Sequence, residues 1–183
     1  CFDVMANCTG FQTGINLAFN NLKTSKNIRA ILVIGVAMQS RYINWKDAYS
    51  SIYFGDGASA AIVSNVKKGF GHIASSLISN TDVYEAARMK GGGSSFANSI
   101  YKKKSYKQYY EINGLEVWKQ VITHQPKNIR LALKEGNLKI KDIDFFIFHQ
   151  ANKNLIKFLM SRLSISMKKT HLTVDKFGNT ADA

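Results

Sequence analysis

The chain has 183 residues, 45% apolar and 20% charged, with 13 glycines and one proline; this excludes a disordered or collagen-like polymer and suits a globular domain or a piece of a larger one. Its net charge of +13, from 25 basic and 12 acidic side chains, favours acidic partners, but no zinc-finger spacing or aromatic RNA-binding signature points to nucleic acid. Two cysteines, Cys1 and Cys8, make a disulfide framework unexpected and favour a reducing compartment, hence a cytoplasmic location.

No basic-then-apolar leader opens the sequence, and runs such as AILVIGVAM are too short to cross a bilayer. The sequence begins inside a strand-like pattern and stops where a helix starts, so an internal piece of a longer chain is expected. Phe11, Ile15, Ala18, Phe19 and Leu22 fall at helical spacing and predict a helix over Thr9–Leu22, ending near KTSKN. Ile28–Ala37 is a continuous apolar run and predicts a strand buried on both faces. SSIYFGDGASAAIVS predicts two short strands around the turn Gly55–Gly57, and HIASSLIS another strand. MKGGGSSF (Met89–Phe96) is a loop, since three consecutive glycines weaken helix and strand alike.

Leu115, Val117, Trp118, Val121, Ile122, Ile129, Leu131 and Leu133 predict a long helix between Gly114 and Gly136, kinked or interrupted at Pro126. Asp142–Gln150 reads as a buried strand that ends on His149. NKNLIKFLMSRLS is an amphipathic helix, THLTV a strand, and KFGNTADA a glycine turn entering a helix. Helices alternating with apolar strands give an α/β fold. An apolar segment, a sharp turn with a reactive side chain and then a helix occur twice, at Cys8 and at His149. The basic residues are dispersed apart from YKKKSYK (Tyr101–Lys107), and a solvated lysine-rich surface accounts for them.

Three residues carry candidate chemistry. A thiol of ordinary pKa, about 8.5, holds little thiolate at neutral pH. A helix N-terminus or a histidine partner increases that fraction, and Cys8 stands at a predicted helix start. The alternative is an inert buried cysteine. His149 ends a strand, where α/β proteins build sites, or is a structural histidine. Asn179 follows Gly178 and is either a turn residue or a donor. A histidine and an asparagine amide together can donate two hydrogen bonds to one oxyanion.

At these residues the sequence resembles the β-ketoacyl-[acyl-carrier-protein] synthase III family of the thiolase superfamily. FDVMANCTGF resembles its nucleophile segment, YFGDGASAAIVS its glycine-rich strand turn and INGLEVWKQVI the start of its long helix. FHQAN and FGNTADA resemble its histidine and asparagine motifs. The resemblance covers the chain from end to end. It implies a five-layer αβαβα fold of two similar halves, here incomplete at both ends: residues 1–110 the later part of the first half, 111–183 the early part of the second.

The resemblance also implies a homodimer and a decarboxylative Claisen condensation. Cys8 takes an acyl group from a thioester, typically an acyl-CoA. Malonyl-acyl carrier protein loses CO₂, His149 and Asn179 hold the enolate oxygen, and the carbanion attacks the acyl-Cys8 thioester. The product is a β-ketoacyl carrier that initiates fatty acid or related synthesis, with no metal or redox cofactor. The Cys8 N–H belongs to a second oxyanion hole. Gly91, Gly92, Gly93 and Gly178 are candidate loop and oxyanion positions. Asn152, Lys153, Lys157 and Arg41 are candidates for substrate or carrier binding, because a basic rim steers an acidic carrier protein.

The sequence departs from the family where an arginine often precedes FGDG: WKDAYSSIYF has Lys46 and no arginine, with Arg41 upstream. HQANKN likewise has Lys153 and Asn154 in place of an arginine. The donor is therefore open between CoA-bound and carrier-bound acyl groups. Competing readings are a non-condensing acyltransferase or thioesterase of specialised metabolism, and a basic non-catalytic binding protein. A papain-like hydrolase shares the order Cys, His, Asn, but NCTGF lacks that family's flanks.

Overall fold

The helix expected after Cys8 forms as α1 (Gly10–Thr24), entered through a 3₁₀ turn at Asn7–Thr9. The computed structural model describes residues 1–92 and 108–183; Gly93 and the lysine cluster Tyr101–Lys107 lie outside the described residues. α1 rests on β1 (Ala30–Ala37), which pairs antiparallel with β2 (Gly57–Ser64) in a register running from Ala30–Ser64 to Ala37–Gly57. Gly14 lets the two elements approach, since a Cβ there would sit 2.9 Å from Val33 Cγ1.

β1 was expected to be buried on both faces, and only one face is. Ile31, Val33 and Gly35 turn towards α1, while Leu32 and Ile34 are each 60% exposed. Side chains alternate across a strand, and α1 covers a single face. The strand expected before the glycine turn is instead the short helix α2 (Ala48–Ser51). Its cause is local: Asp47 Oδ1 accepts from Tyr49 N at 3.0 Å and Oδ2 from Ser50 Oγ at 2.8 Å, a side-chain cap that outcompetes strand geometry. Residues 72–79 form no ladder. A second antiparallel pair joins β3 (Ala87–Met89) to β4 (Tyr110–Ile112).

α3 (Gly114–Glu135) begins at an Asn113 cap and runs through Pro126, so the proline does not interrupt the helix. Pro126 is buried, and Trp118, Val121, Ile122 and Ile129 of the same helix pack against the main core. That packing offsets the one ladder bond a proline cannot donate. The core itself is Phe148 with Leu155, Ile156, Leu159 and Met160, the last four on α4 (Lys153–Arg162). Apolar residues spaced three and four apart give α4 this buried stripe.

Asp142–Gln150 is not a strand. A 3₁₀ turn occupies Ile140–Asp142, and beyond it a single parallel bridge joins Phe146 to Thr170. THLTV likewise contributes only Thr170 to pairing and leads into α5 (Val174–Phe177). A strand needs a continuous ladder of backbone pairs, and here the pairing is limited to this one bridge among the described residues.

Candidate active site

Asn179, one of the three candidate residues, is tightly held. Its N–H donates to Tyr53 O at 2.7 Å, and its carbonyl accepts from Gly55 N and from Gln39 Nε2, each at 3.1 Å. The residue is buried and bridges Phe54 in parallel. Its side-chain oxygen accepts from Ala181 N at 3.0 Å. An amide whose oxygen is so committed presents its NH₂ end as the remaining donor.

This anchoring depends on backbone packed against backbone. A Cβ on Gly55 would lie 1.9 Å from Phe177 O, and one on Gly178 would lie 3.0 Å from Phe54 C. Gly178 also has φ 70° with ψ −165°, a conformation open essentially to glycine alone. Gly178 therefore serves as a close-approach residue. Asp56 ties the same turn to the stretch after β1: Oδ1 accepts from Ser40 N at 2.8 Å and Oδ2 from Ser40 Oγ at 2.5 Å. Those bonds hold the Asp56 carboxyl below its ordinary range.

The turn from Asn179 to Asp182 gathers the other two residues. The Ala181 backbone has a polar interaction with His149 that favours the protonated ring, but burial outweighs it and lowers the His149 pKa. The imidazole is thus held neutral, with one N–H to donate. Gln150 fixes the adjoining backbone: its Nε2 donates to Phe148 O and His171 O at 3.1 and 3.2 Å, and its Oε1 accepts from Thr173 N and Val174 N. Asp182, three residues beyond Asn179, acts electrostatically on Cys8.

Cys8 precedes α1 and follows Asn7, whose φ of 47° is left-handed. Non-glycine residues in that region cluster at functional turns, and Ala181 shares it with φ 53°. Cys8 is exposed, so a reagent can reach it. The protein crowded around its thiol nevertheless raises its pKa, the Asp182 carboxylate adds to the rise, and a hydrogen bond from its own backbone opposes both. Accessible surface governs reach, while the wider surroundings govern the proton; the two observations concern different ranges. The net displacement of the thiol pKa is therefore upward, because burial and Asp182 outweigh the lowering by the local backbone.

The remaining candidates are scattered. Asn152 caps α4, accepting from Asn154 N and Leu155 N through Oδ1. Lys153 Nζ is 2.6 Å from Asp175 Oδ2, an exposed ion pair. With Ile52, Tyr53, Ala151 and Val174, these residues line a recess of about 210 Å³, whose lining includes none of Cys8, His149 and Asn179. Lys157 is exposed on α4, and Arg41 is exposed with Nη1 3.9 Å from Met38 Sδ. Gly91 is buried and Gly92 exposed with φ 99°, after β3. A larger recess of about 500 Å³ lies between Arg130, Lys134 and Arg162 and likewise includes none of the three candidate residues in its lining.

Sequence reasoning missed Gln39, Gln150, Tyr110 and Asp182. Tyr110 stacks on Phe54 at 5.4 Å, and its phenol pKa is raised by burial, then by Cys8 and Tyr42. A glutamine in an otherwise apolar stretch and an acid three residues after Asn179 were the available signals. Among the described residues no group of three or more metal-ligating side chains occurs, and no helix is long and apolar enough to cross a membrane.

Comparison with known proteins places these features in a family context. The family model described as 3-oxoacyl-[acyl-carrier-protein (ACP)] synthase III matches residues 2–81, and the model of its C-terminal part matches residues 133–183. The chain is 31% identical over 183 residues to the β-ketoacyl-[acyl-carrier-protein] synthase III of Fusobacterium nucleatum, covering 100% of this chain and 56% of that protein. It is 35% identical over 182 residues to the enzyme of that name from Wolbachia pipientis wMel, covering 100% and 54%. The crystal structure of β-ketoacyl-[acyl carrier protein] synthase III from Thermus thermophilus superposes with a TM-score of 0.88 at 25% identity, covering 99% of this chain and 55% of that one. The chain thus spans about half the length of the curated relatives it matches, and its fold is part of the thiolase-like α/β class expected from its motifs.

Proposed function

Because the chain belongs to the 3-oxoacyl-[acyl-carrier-protein] synthase III family, we propose that it is part of an acyltransferase that condenses an acyl thioester with malonyl-acyl carrier protein. The observation that carries this reading is the turn from Asn179 to Asp182. One short segment carries the Asn179 amide, touches His149 through Ala181 and acts on Cys8 through Asp182.

Cys8 Sγ, as the thiolate, attacks the donor carbonyl, forming the acyl-Cys8 thioester as the donor thiolate leaves with a proton. The Cys8 N–H donates to the oxyanion of that step. Malonyl thioester then loses CO₂, and its electron pair moves onto the thioester oxygen. The neutral His149 N–H and the Asn179 NH₂ donate to that oxygen. A neutral donor pair suits an enolate that must go on to attack carbon, because it lowers the barrier without protonating the nucleophile. One preorganised donor of this kind is worth about 3–4 kcal/mol. The carbanion attacks the acyl-Cys8 carbonyl and releases the thiolate. This sequence requires no metal or redox cofactor.

The recess lined by Asn152, Lys153 and Asp175, about 210 Å³, is smaller than a typical pocket for a whole small-molecule ligand and is of a size for a slender thioester arm. Asn152 and Lys153 line it, and their prior bonds leave the Asn152 NH₂ and the outer face of Lys153 for contact. Lys157 and Arg41, both exposed, are assigned to contacts with an acidic carrier. Gly91 and Gly92 are assigned to a loop bordering the site. We assign residues 1–110 and 111–183 to the two halves of the full protein, which works as a homodimer in the cytoplasm.

The test separates the half-reactions in the full-length protein. Cys8→Ala is expected to abolish acyl-enzyme formation, read as the mass gained by the Cys8 peptide from acyl-CoA or acyl-carrier donors. Asn179→Ala is expected to slow release of CO₂ from malonyl carrier far more than acylation. Acylation that persists in Cys8→Ala overturns the assignment, and equal losses in both steps overturn the role of Asn179. Acylation followed by hydrolysis without a β-ketoacyl product would identify the non-condensing alternative.

A further inference from the structure

Asp182 occupies a specific place at the start of α1. A Cβ on Gly10, the first residue of that helix, would lie 2.6 Å from Asp182 Oδ2 and 3.4 Å from its Cγ. A Cβ on Gly35 of β1 would lie 2.5 Å from the Asp182 carbonyl. Two glycines thus make room for this residue, one for its carboxylate and one for its backbone. Among the described residues no cation pairs with Asp182, and the first turn of α1 contains no acid of its own.

The first N–H groups of a helix carry a partial positive charge that favours a nearby anion. At α1 two anions compete for it: the Cys8 thiolate, two residues before Gly10, and the Asp182 carboxylate lodged against Gly10. A fixed carboxylate uses that field and repels a second negative charge beside it. We propose that Asp182 is a positioning residue that keeps Cys8 protonated at rest, by occupying the positive end of α1, so that the nucleophile gains thiolate character when the Asp182 charge is screened or displaced.

The upward displacement of the thiol pKa, with Asp182 the largest contributor after burial, agrees with this placement. Tyr110 on β4 is another titratable group near Cys8; burial first, then Cys8 and Tyr42, raise its phenol. His149 is held neutral. Asp182 is therefore the negative charge governing Cys8. The inference uses the reading of Cys8 as nucleophile, but its test reads the thiol directly.

The experiment measures alkylation of Cys8 by iodoacetamide in the full-length protein, resolved by peptide mass spectrometry, from about pH 6 to about pH 10. Asp182→Asn keeps the shape and removes the charge. Its midpoint is expected to fall by about half a unit to one unit, giving alkylation about 3–10-fold faster near pH 7. Asp182→Glu is expected to keep the wild-type midpoint. Superimposable profiles for the wild type and Asp182→Asn overturn the proposal; if that variant does not fold, Asp182→Ala faces the same criterion. A midpoint that falls in Asp182→Asn while Cys8→Ala retains acyl transfer would uphold this inference and reject the catalytic reading.

Discussion

The buried Gln39 side chain donates from Nε2 to the carbonyl of Asn179 over 3.1 Å, across 140 positions of sequence. Gln39 begins the 3₁₀ turn after β1, and Asn179 follows α5. The bond therefore fixes the height of Asn179 relative to the sheet. Gln39→Leu leaves that carbonyl with Gly55 N as its remaining partner and is expected to cost about 1 kcal/mol of stability. Its sharper effect is a loss of kcat for CO₂ release that exceeds the loss in acyl-enzyme formation. Parallel losses in both half-reactions would mean that Gln39 only supports the fold.

The meeting of Gly55 with Phe177 O leaves no room for a methyl group. Gly55→Ala forces backbone to move and is expected to destabilise the full-length protein by about 1–3 kcal/mol, with activity lost at temperatures where the fold persists. Gly114→Ala is the control, because a Cβ there meets nothing within 4 Å at the first residue of α3. It is expected to be neutral or to add up to about 1 kcal/mol. Urea titration of both variants checks the contrast.

His149 has a folded pKa below its ordinary value, chiefly through burial. The unfolded chain therefore binds a proton near pH 6.5 that the folded chain refuses. The stabilisation from this group is complete above the unfolded value and is lost as pH falls through it towards the depressed folded value. Stability of wild type relative to His149→Gln is expected to decline over that window. CO₂ release, which needs the neutral ring, should persist below about pH 6.5. A loss of activity centred at the ordinary histidine value would contradict it.

Both ring nitrogens of His72 are buried without a hydrogen-bond partner among the described residues, while the ring stacks on Phe19 of α1 at 4.6 Å. Unsatisfied buried polar atoms cost about 1–3 kcal/mol. His72→Phe keeps the stacking and removes them, and is expected to raise the thermal midpoint with acyl transfer unchanged.

The three candidate residues could be singled out because each stands at a local boundary. Cys8 stands before a helix with clear 3.6-residue periodicity, His149 after an apolar run, and Asn179 after a glycine. α1, α3 and α4 were legible for the same reason, their signal lying within one element. The strands were not. Asp142–Gln150 and residues 72–79 carry apolar runs like those of a strand, but pairing depends on distant partners, and a sequence does not display them. Pro126 does not end α3 for a related cause, since packing of α3 on α4 offsets the local preference. The roles of Gln39 and Asp182 arise only from contacts with Asn179 and Gly10, far away in the chain.

Where Gly55 meets Phe177 and Gly178 meets Phe54, the site is joined by main chain. Such a joint is indifferent to the identity of most neighbouring side chains and intolerant of one added methyl at its centre. Tyr53 and Phe177 contribute carbonyls there, so their side chains are free to drift. The two loops form a mould whose shape is copied by peptide geometry, and a lineage could rebuild the walls of the substrate channel many times without recasting it.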